Sequence, residues 1–104
     1  MKCVIAMYGK PEDPQAFAEH YENVHTPLVQ QMPHLKRFVV TCAPILAGEA
    51  ESGAHLVAVM GYETQEDLEA SLGSPEGQAA VADLENFATG GCQVFTTEIA
   101  SALR

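Results

Sequence analysis

The sequence has no tryptophan, few other aromatic residues (four phenylalanines and three tyrosines), and five lysines and arginines against fourteen acids. The bases, Lys2, Lys10, Lys36, Arg37 and Arg104, are scattered and form no basic face, which excludes nucleic acid as a partner. A formal net charge of −9 disfavours an anionic membrane surface as well. No apolar run approaches the roughly 20 residues that a membrane-spanning helix requires. The short apolar run at the N-terminus meets Pro11 and acids where a signal peptide would need a cleavage site, so it reads as a first strand.

Cysteine is equally sparse. Cys3, Cys42 and Cys92 are odd in number, far apart and without a C-x-x-C pair, which excludes a disulfide framework and a zinc or redox motif. Each is expected to be a small buried hydrophobe, and a reducing cytoplasm follows as the setting. A G-x-S-x-G elbow, a phosphate loop and paired carboxylates in apolar surroundings are all missing. No cofactor is expected. No metal is expected either, because His20 and His25 are five residues apart where a helical zinc pair prefers four.

What remains is a 104-residue chain, 47% apolar, long enough for one domain over residues 1–104 with a genuine core. Residues 2–8 are apolar on both parities and read as a strand covered on both faces. Asp13-Pro14 caps a helix that runs to about Val24, with a shorter continuation from Pro27 to Met32 that Pro33 ends. Residues 35–46 read as a second strand with Pro44 near its exit, and residues 47–54 as a hairpin-type loop. His55 to Tyr62 is a third strand. Thr64 starts a short helix to Leu72, and Ser74-Pro75 a longer one to Phe87 with Val81, Leu84 and Ala88 on its apolar stripe. Cys92 to Ile99 is a fourth strand, followed by the tail SALR. The acids, Asp83 and Glu85 among them, fall on presumed helix surfaces and read as solubilising charge.

The order β-α-β-β-α-β is that of an α+β, ferredoxin-like fold, with a four-stranded antiparallel sheet and both helices on one face. Helices then cover one sheet face only, while the first and third strands are apolar on both. A homodimer packed sheet to sheet would cover the second face.

The most informative segment is residues 17–33, FAEHYENVHTPLVQQMP. Phe17, Tyr21, Val24 and Leu28 share one helical stripe. Pro27 lacks an N–H for the Asn23 carbonyl and crowds it, so a kink or break is expected just after His25. His25, with an ordinary pKa of about 6.5, is the candidate acid–base group. The alternative is that its ring only mends the freed carbonyl as a helix cap. Tyr21, one turn earlier, can meet it. His20 and His25 are expected on opposite flanks of the stripe, not aimed at one atom. His55, at the start of the third strand, is a rim residue or a second polar group in a pocket.

The pattern F-x-x-x-Y-x-x-x-H-x-P-L at 17–28 resembles the signature of EthD-like proteins. The segment SPEGQAAVADLENF at 74–87 and the strand order are similar as well. The resemblance spans the whole chain and implies the dimeric α+β barrel, two ferredoxin-like units sheet to sheet, with a pocket between helices and sheet. That superfamily includes muconolactone isomerases, polyketide cyclases, quinol monooxygenases and haem-degrading enzymes. The family histidine maps to His25, with Tyr21 and Phe17 in the same motif.

Three functions remain open on the sequence. The first is a cofactor-independent enzyme of small-molecule catabolism or secondary metabolism, an oxidoreductase or an isomerase or cyclase. It would act on a small hydrophobic molecule (aromatic, lactone or ether-derived) with His25 and Tyr21 as catalytic groups and Phe17, Leu28 and His55 as substrate contacts. The second is a non-catalytic binding or accessory protein for such a metabolite, and the third a purely structural dimer.

Overall fold

The computed structural model describes residues 1–100, and the tail at 101–104 lies outside the described residues. Alternation of side chains builds the sheet. In β1 (Lys2–Gly9), Val4, Ala6 and Tyr8 turn inward and are buried. β1 is central: it pairs antiparallel with β5 (Ala54–Tyr62) on one side and β6 (Cys92–Glu98) on the other. β2 (Arg37–Val40) pairs with the far edge of β5, so the order is β2-β5-β1-β6. This is the expected four-stranded antiparallel, ferredoxin-like α+β fold. Ala58, Met60 and Tyr62 of β5 join Val4, Ala6 and Tyr8 in one core under the helices.

The second strand is shorter than the sequence suggests. The strand ends at Val40 and the chain leaves β5 after Thr41, whose N–H still donates to the Val57 carbonyl at 3.0 Å; the segment carrying Pro44, which cannot donate to a ladder, does not return to the main sheet. The hairpin-type loop expected over residues 47–54 is a small two-stranded hairpin, β3 (Leu46–Ala47) with β4 (Ala50–Glu51), separate from the main sheet. Gly48, at φ +68°, supplies its left-handed turn residue. Cys42 on this excursion is exposed and Cys92 only half-buried, so of the three cysteines only Cys3 is the buried hydrophobe expected.

On the helical layer, α1 (Pro14–His20) starts at Asp13, whose carboxylate accepts from the Gln15 and Ala16 N–H groups, both at 3.1 Å. The expected break at Pro27 does not occur. The chain stays helical through a single π turn, Tyr21–His25, into α2 (Thr26–Gln30). The Thr26 N–H donates to the Tyr21 carbonyl five residues back, and Thr26 keeps helical angles of −56° and −47°. The wider turn makes room for the proline, which sits in the first turn of α2, where a missing N–H matters least.

The inserted residue also moves the buried stripe by one position. The core face runs Phe17, Tyr21, His25, Val29, Met32, while Val24 is exposed and Leu28 half-buried. α3 (Gln65–Gly73) is capped by Thr64, which accepts from the Asp67 N–H at 3.0 Å. α4 (Pro75–Phe87) is capped by Ser74. Its buried stripe is Gly77, Ala80, Asp83 and Phe87, one step round from the one expected, so Val81 faces out. At Gly77 a Cβ would run into the Ser71 carbonyl oxygen, and this lets the start of α4 press against the end of α3.

The sheet's second face carries no helix. Val39, Val59, Ile5 and Phe95 stand side by side across its four strands in register, with Val39 and Phe95 more than two-fifths exposed. That is an apolar belt on the open side.

Candidate active site

The π turn determines where His25 points. In an ordinary helix, residues five apart face different ways, but in a π turn a residue comes round onto the one five before it. His20 and His25 bracket that turn and, against expectation, converge on one carboxylate. His25 Nδ1 is 3.0 Å from Asp83 Oδ2, and His20 Nε2 is 2.9 and 3.0 Å from the two Asp83 oxygens. Asn86, one turn along α4, donates to Oδ1 at 2.9 Å. Asp83 is therefore no surface charge: only 6% of it is exposed.

Burial opposes the charge on Asp83, but the hydrogen bonds from Asn86, His20 and His25 together outweigh it and hold the carboxyl below its ordinary range. It is ionised at neutral pH and accepts the His25 Nδ1–H. His25 is 4% exposed, and desolvation outweighs the carboxylate beside it, so its pKa falls below 6.5. The imidazole is neutral, with Nε2 left as an acceptor. The Tyr8 hydroxyl lies 3.3 Å from Nε2. Burial raises the Tyr8 pKa, so the phenol stays protonated and donates to that nitrogen. The chain of groups is Asp83–His25–Tyr8, drawn from α4, the π turn and β1. Neither histidine nitrogen reaches a backbone carbonyl, so the ring is not a helix cap.

Rings hold this arrangement in place. Phe87 lies 4.8 Å from His25, 5.0 Å from His20 in a near-parallel stack and 5.6 Å from Tyr8. Tyr21 packs 5.4 Å from His25 and 5.7 Å, edge to face, from Tyr8. Burial raises the Tyr21 pKa too, so it also remains a neutral phenol.

Tyr8, Tyr21 and His25 form the polar end of a narrow cleft of about 50 Å³ between the helices and the sheet. Val4, Ala6 and Met60 line its floor, Val29 and Ala80 its helical wall, and Val81, Leu84 and Val94 lie along it as well. No Lys, Arg, Asp or Glu among the described residues lines it. Among the described residues, no group of three or more His, Cys, Asp or Glu side chains is arranged to hold a metal ion, and no helix is long and apolar enough to cross a membrane.

The sequence-predicted residues divide accordingly. His25 and Tyr21 meet in the cleft. Phe17 is buried in the aromatic cluster, against Tyr8, Tyr21 and Phe87, and does not line it. Leu28 is displaced from the wall by Val29, a consequence of the π turn. His55 sits at the β-bulge where the β1–β5 register shifts beside Tyr8 and Gly9, and its ring meets Phe17 edge to face at 5.0 Å, outside the cleft. Tyr8 and Asp83 were missed as site residues. The spacing Gly77, Ala80, Asp83, Phe87 held the clue, an acid in the middle of a small and apolar stripe.

Comparisons with known proteins agree with this fold. The family model of the EthD domain matches residues 10–91. An uncharacterised 11.0 kDa protein from the thcB-thcC intergenic region of Rhodococcus erythropolis is 42% identical over 98 residues, covering 94% of each chain. A crystal structure of an ethyl tert-butyl ether degradation (EthD) family protein from Bacillus halodurans superposes with a TM-score of 0.89 at 35% identity, covering 96% of this chain and 99% of that one. A dimeric ferredoxin-like protein of unknown function from Thermobifida fusca superposes with a TM-score of 0.69 at 15% identity, covering 94% and 90%.

The lowered His25 pKa makes stability depend on pH with a definite sign. The unfolded chain takes up the His25 proton first, near pH 6.5, so stability is complete above that value and falls as pH drops through 6.5 toward the folded pKa. Asp83, also lowered, loses its contribution only in a more acidic range, as pH falls below about 3.8. Urea unfolding between pH 7 and pH 5 is expected to show stability falling with pH, with a shallower slope in His25→Gln. Equal slopes in the two proteins would contradict the assignment.

Proposed function

Because this chain belongs to the EthD domain family, and because a neutral histidine lies at the polar end of its apolar cleft, we propose that it is an enzyme of small-molecule metabolism working by acid–base chemistry at His25. The observation that carries the reading is the hydrogen-bonded order Asp83–His25–Tyr8. Asp83 fixes the tautomer, so His25 presents the lone pair of Nε2 to the cleft. A substrate oxygen arriving beside Tyr8 takes over the phenol's hydrogen bond and frees Nε2. The imidazole then accepts a proton from the substrate while Tyr8 donates to the oxygen on which charge develops. The resulting imidazolium is stabilised by Asp83, and return of the proton to another atom completes an isomerisation or cyclisation. The same base would equally generate the substrate anion of a cofactor-independent oxidation in which dioxygen takes the electrons.

The cleft lining supports a substrate class. With no charged side chain and three polar groups at one end, it suits a small, uncharged, carbon-rich molecule bearing one carbonyl or hydroxyl group. Aromatic, lactone and ether-derived compounds fit that description; a carboxylate does not. The second reading, a binding protein for such a metabolite, uses the same cleft and predicts saturable binding without conversion. Native mass spectrometry of the purified protein would identify the bound molecule. Turnover of that molecule is expected to fall about 100- to 10,000-fold in His25→Ala. Full turnover by a folded His25→Ala protein would rule the role out.

The apolar belt on the open sheet face supports a homodimer packed sheet to sheet. Light scattering at micromolar concentration is expected to give twice the 11.1 kDa mass of one chain. Ile5→Lys, which places a charge in the middle of the belt, is expected to give the single-chain mass. A wild-type protein that is already monomeric would contradict the dimer.

A further inference from the structure

His20 takes no part in the chemistry proposed above, yet it binds the carboxylate that orients His25. We propose that His20 is a positioning residue that sets the basicity of His25 by competing for Asp83. Its functional meaning rests on the acid–base reading of His25; the competition itself rests on geometry.

His20 Nε2 lies within 3.0 Å of both Asp83 oxygens, so it meets the carboxylate head-on, while His25 Nδ1 shares Oδ2. The two rings share one negative charge. Their exposure differs: the His20 side chain is 26% exposed and that of His25 5%. His20 reaches a surface groove with Glu12, Asp13 and Asn86, whereas His25 faces the cleft. Phe87 packs against both rings, at 5.0 Å from His20 and 4.8 Å from His25.

One carboxylate cannot fully stabilise two imidazolium ions. A proton on His20 neutralises Asp83 and adds a like charge near His25, so a second proton there is disfavoured. With His20 neutral, the full charge of Asp83 stabilises the imidazolium that His25 becomes when it accepts a substrate proton. The solvent-side histidine thus carries the state of the solvent to the cleft through a single shared anion. The groups facing the pair are few. Tyr8 of β1 and Tyr21 of the π turn lie beside His25, with Cys92 of β6 paired opposite Tyr8. Glu12 and Asp13 border the His20 side, and Asn86 is a neutral donor to Asp83.

The test is an NMR titration of the histidine ring carbons in wild type and in His20→Gln. Glutamine retains a donor for Asp83 but cannot take up a proton. The His25 midpoint is expected to rise by about one pH unit in His20→Gln, roughly tenfold in its protonation constant. A His25 midpoint within about 0.2 unit of wild type would overturn the proposal, since a purely structural His20 would change melting temperature without moving it. Wild-type protein provides a second arm that needs no variant. The His25 ring should titrate over two macroscopic steps, and a single one-step curve would overturn the coupling. The outcome is separable from that of the enzymatic reading. Coupled titration with full turnover in His25→Ala would sustain the competition and remove the catalytic role of His25, and uncoupled titration with lost turnover would do the reverse.

Discussion

A buried carboxylate without a cation beside it survives only if hydrogen bonds replace the water it has lost. Asp83 is that group here, and three side chains converge on it, from α1, the π turn and α4 itself. Each hydrogen bond to a charged group contributes about 1.5–3 kcal/mol, so the set fastens α4 to the helical segment opposite as well as satisfying the charge. All the described buried side-chain polar atoms have partners, and around Asp83 the same bonds also orient His25. Removing the carboxylate would loosen the packing of α4 and free the tautomer of His25 in one step.

That convergence depends on one extra residue in one turn. Between Tyr21 and His25 the helix widens, and the widening has three effects. It lets Pro27 follow without a break. It moves the apolar stripe from Val24 and Leu28 onto His25 and Val29. It also brings His20 and His25, five apart, onto the same carboxylate. A regular helix over the same residues would leave Asp83 with one histidine at most. π turns are often retained where a side chain must be aimed, and here the side chain aimed is the candidate base.

The architecture was legible from strand order and from alternation along β1 and β5, because a two-residue period survives any small change in neighbouring loops. The motif carrying His25 was legible too, since a histidine before a proline on an amphipathic helix is a local signal. Its surroundings were not. The stripe through Val24 and Leu28 assumed 3.6 residues per turn, and no single residue announces a π turn. Asp83 was read as surface charge because acids on helices usually are, and its burial depends on a partner 58 positions away. His55 was placed by strand parity, which fails at the bulge beside Gly9. Tyr8 shares a strand parity with Val4 and Ala6, but that its hydroxyl meets His25 depends on how closely the helix approaches the sheet.

The site therefore reads as a neutral imidazole whose orientation is fixed by Asp83 on one side and whose other nitrogen meets the Tyr8 hydroxyl at the polar end of an apolar cleft. The central claim is the protonation state and tautomer of one ring. Two-bond ¹⁵N–¹H correlation spectra of histidine-labelled protein at neutral pH measure both directly. The account predicts that His25 is neutral, with the proton on Nδ1 and an unprotonated Nε2. An imidazolium, or a neutral ring with its proton on Nε2, would contradict it.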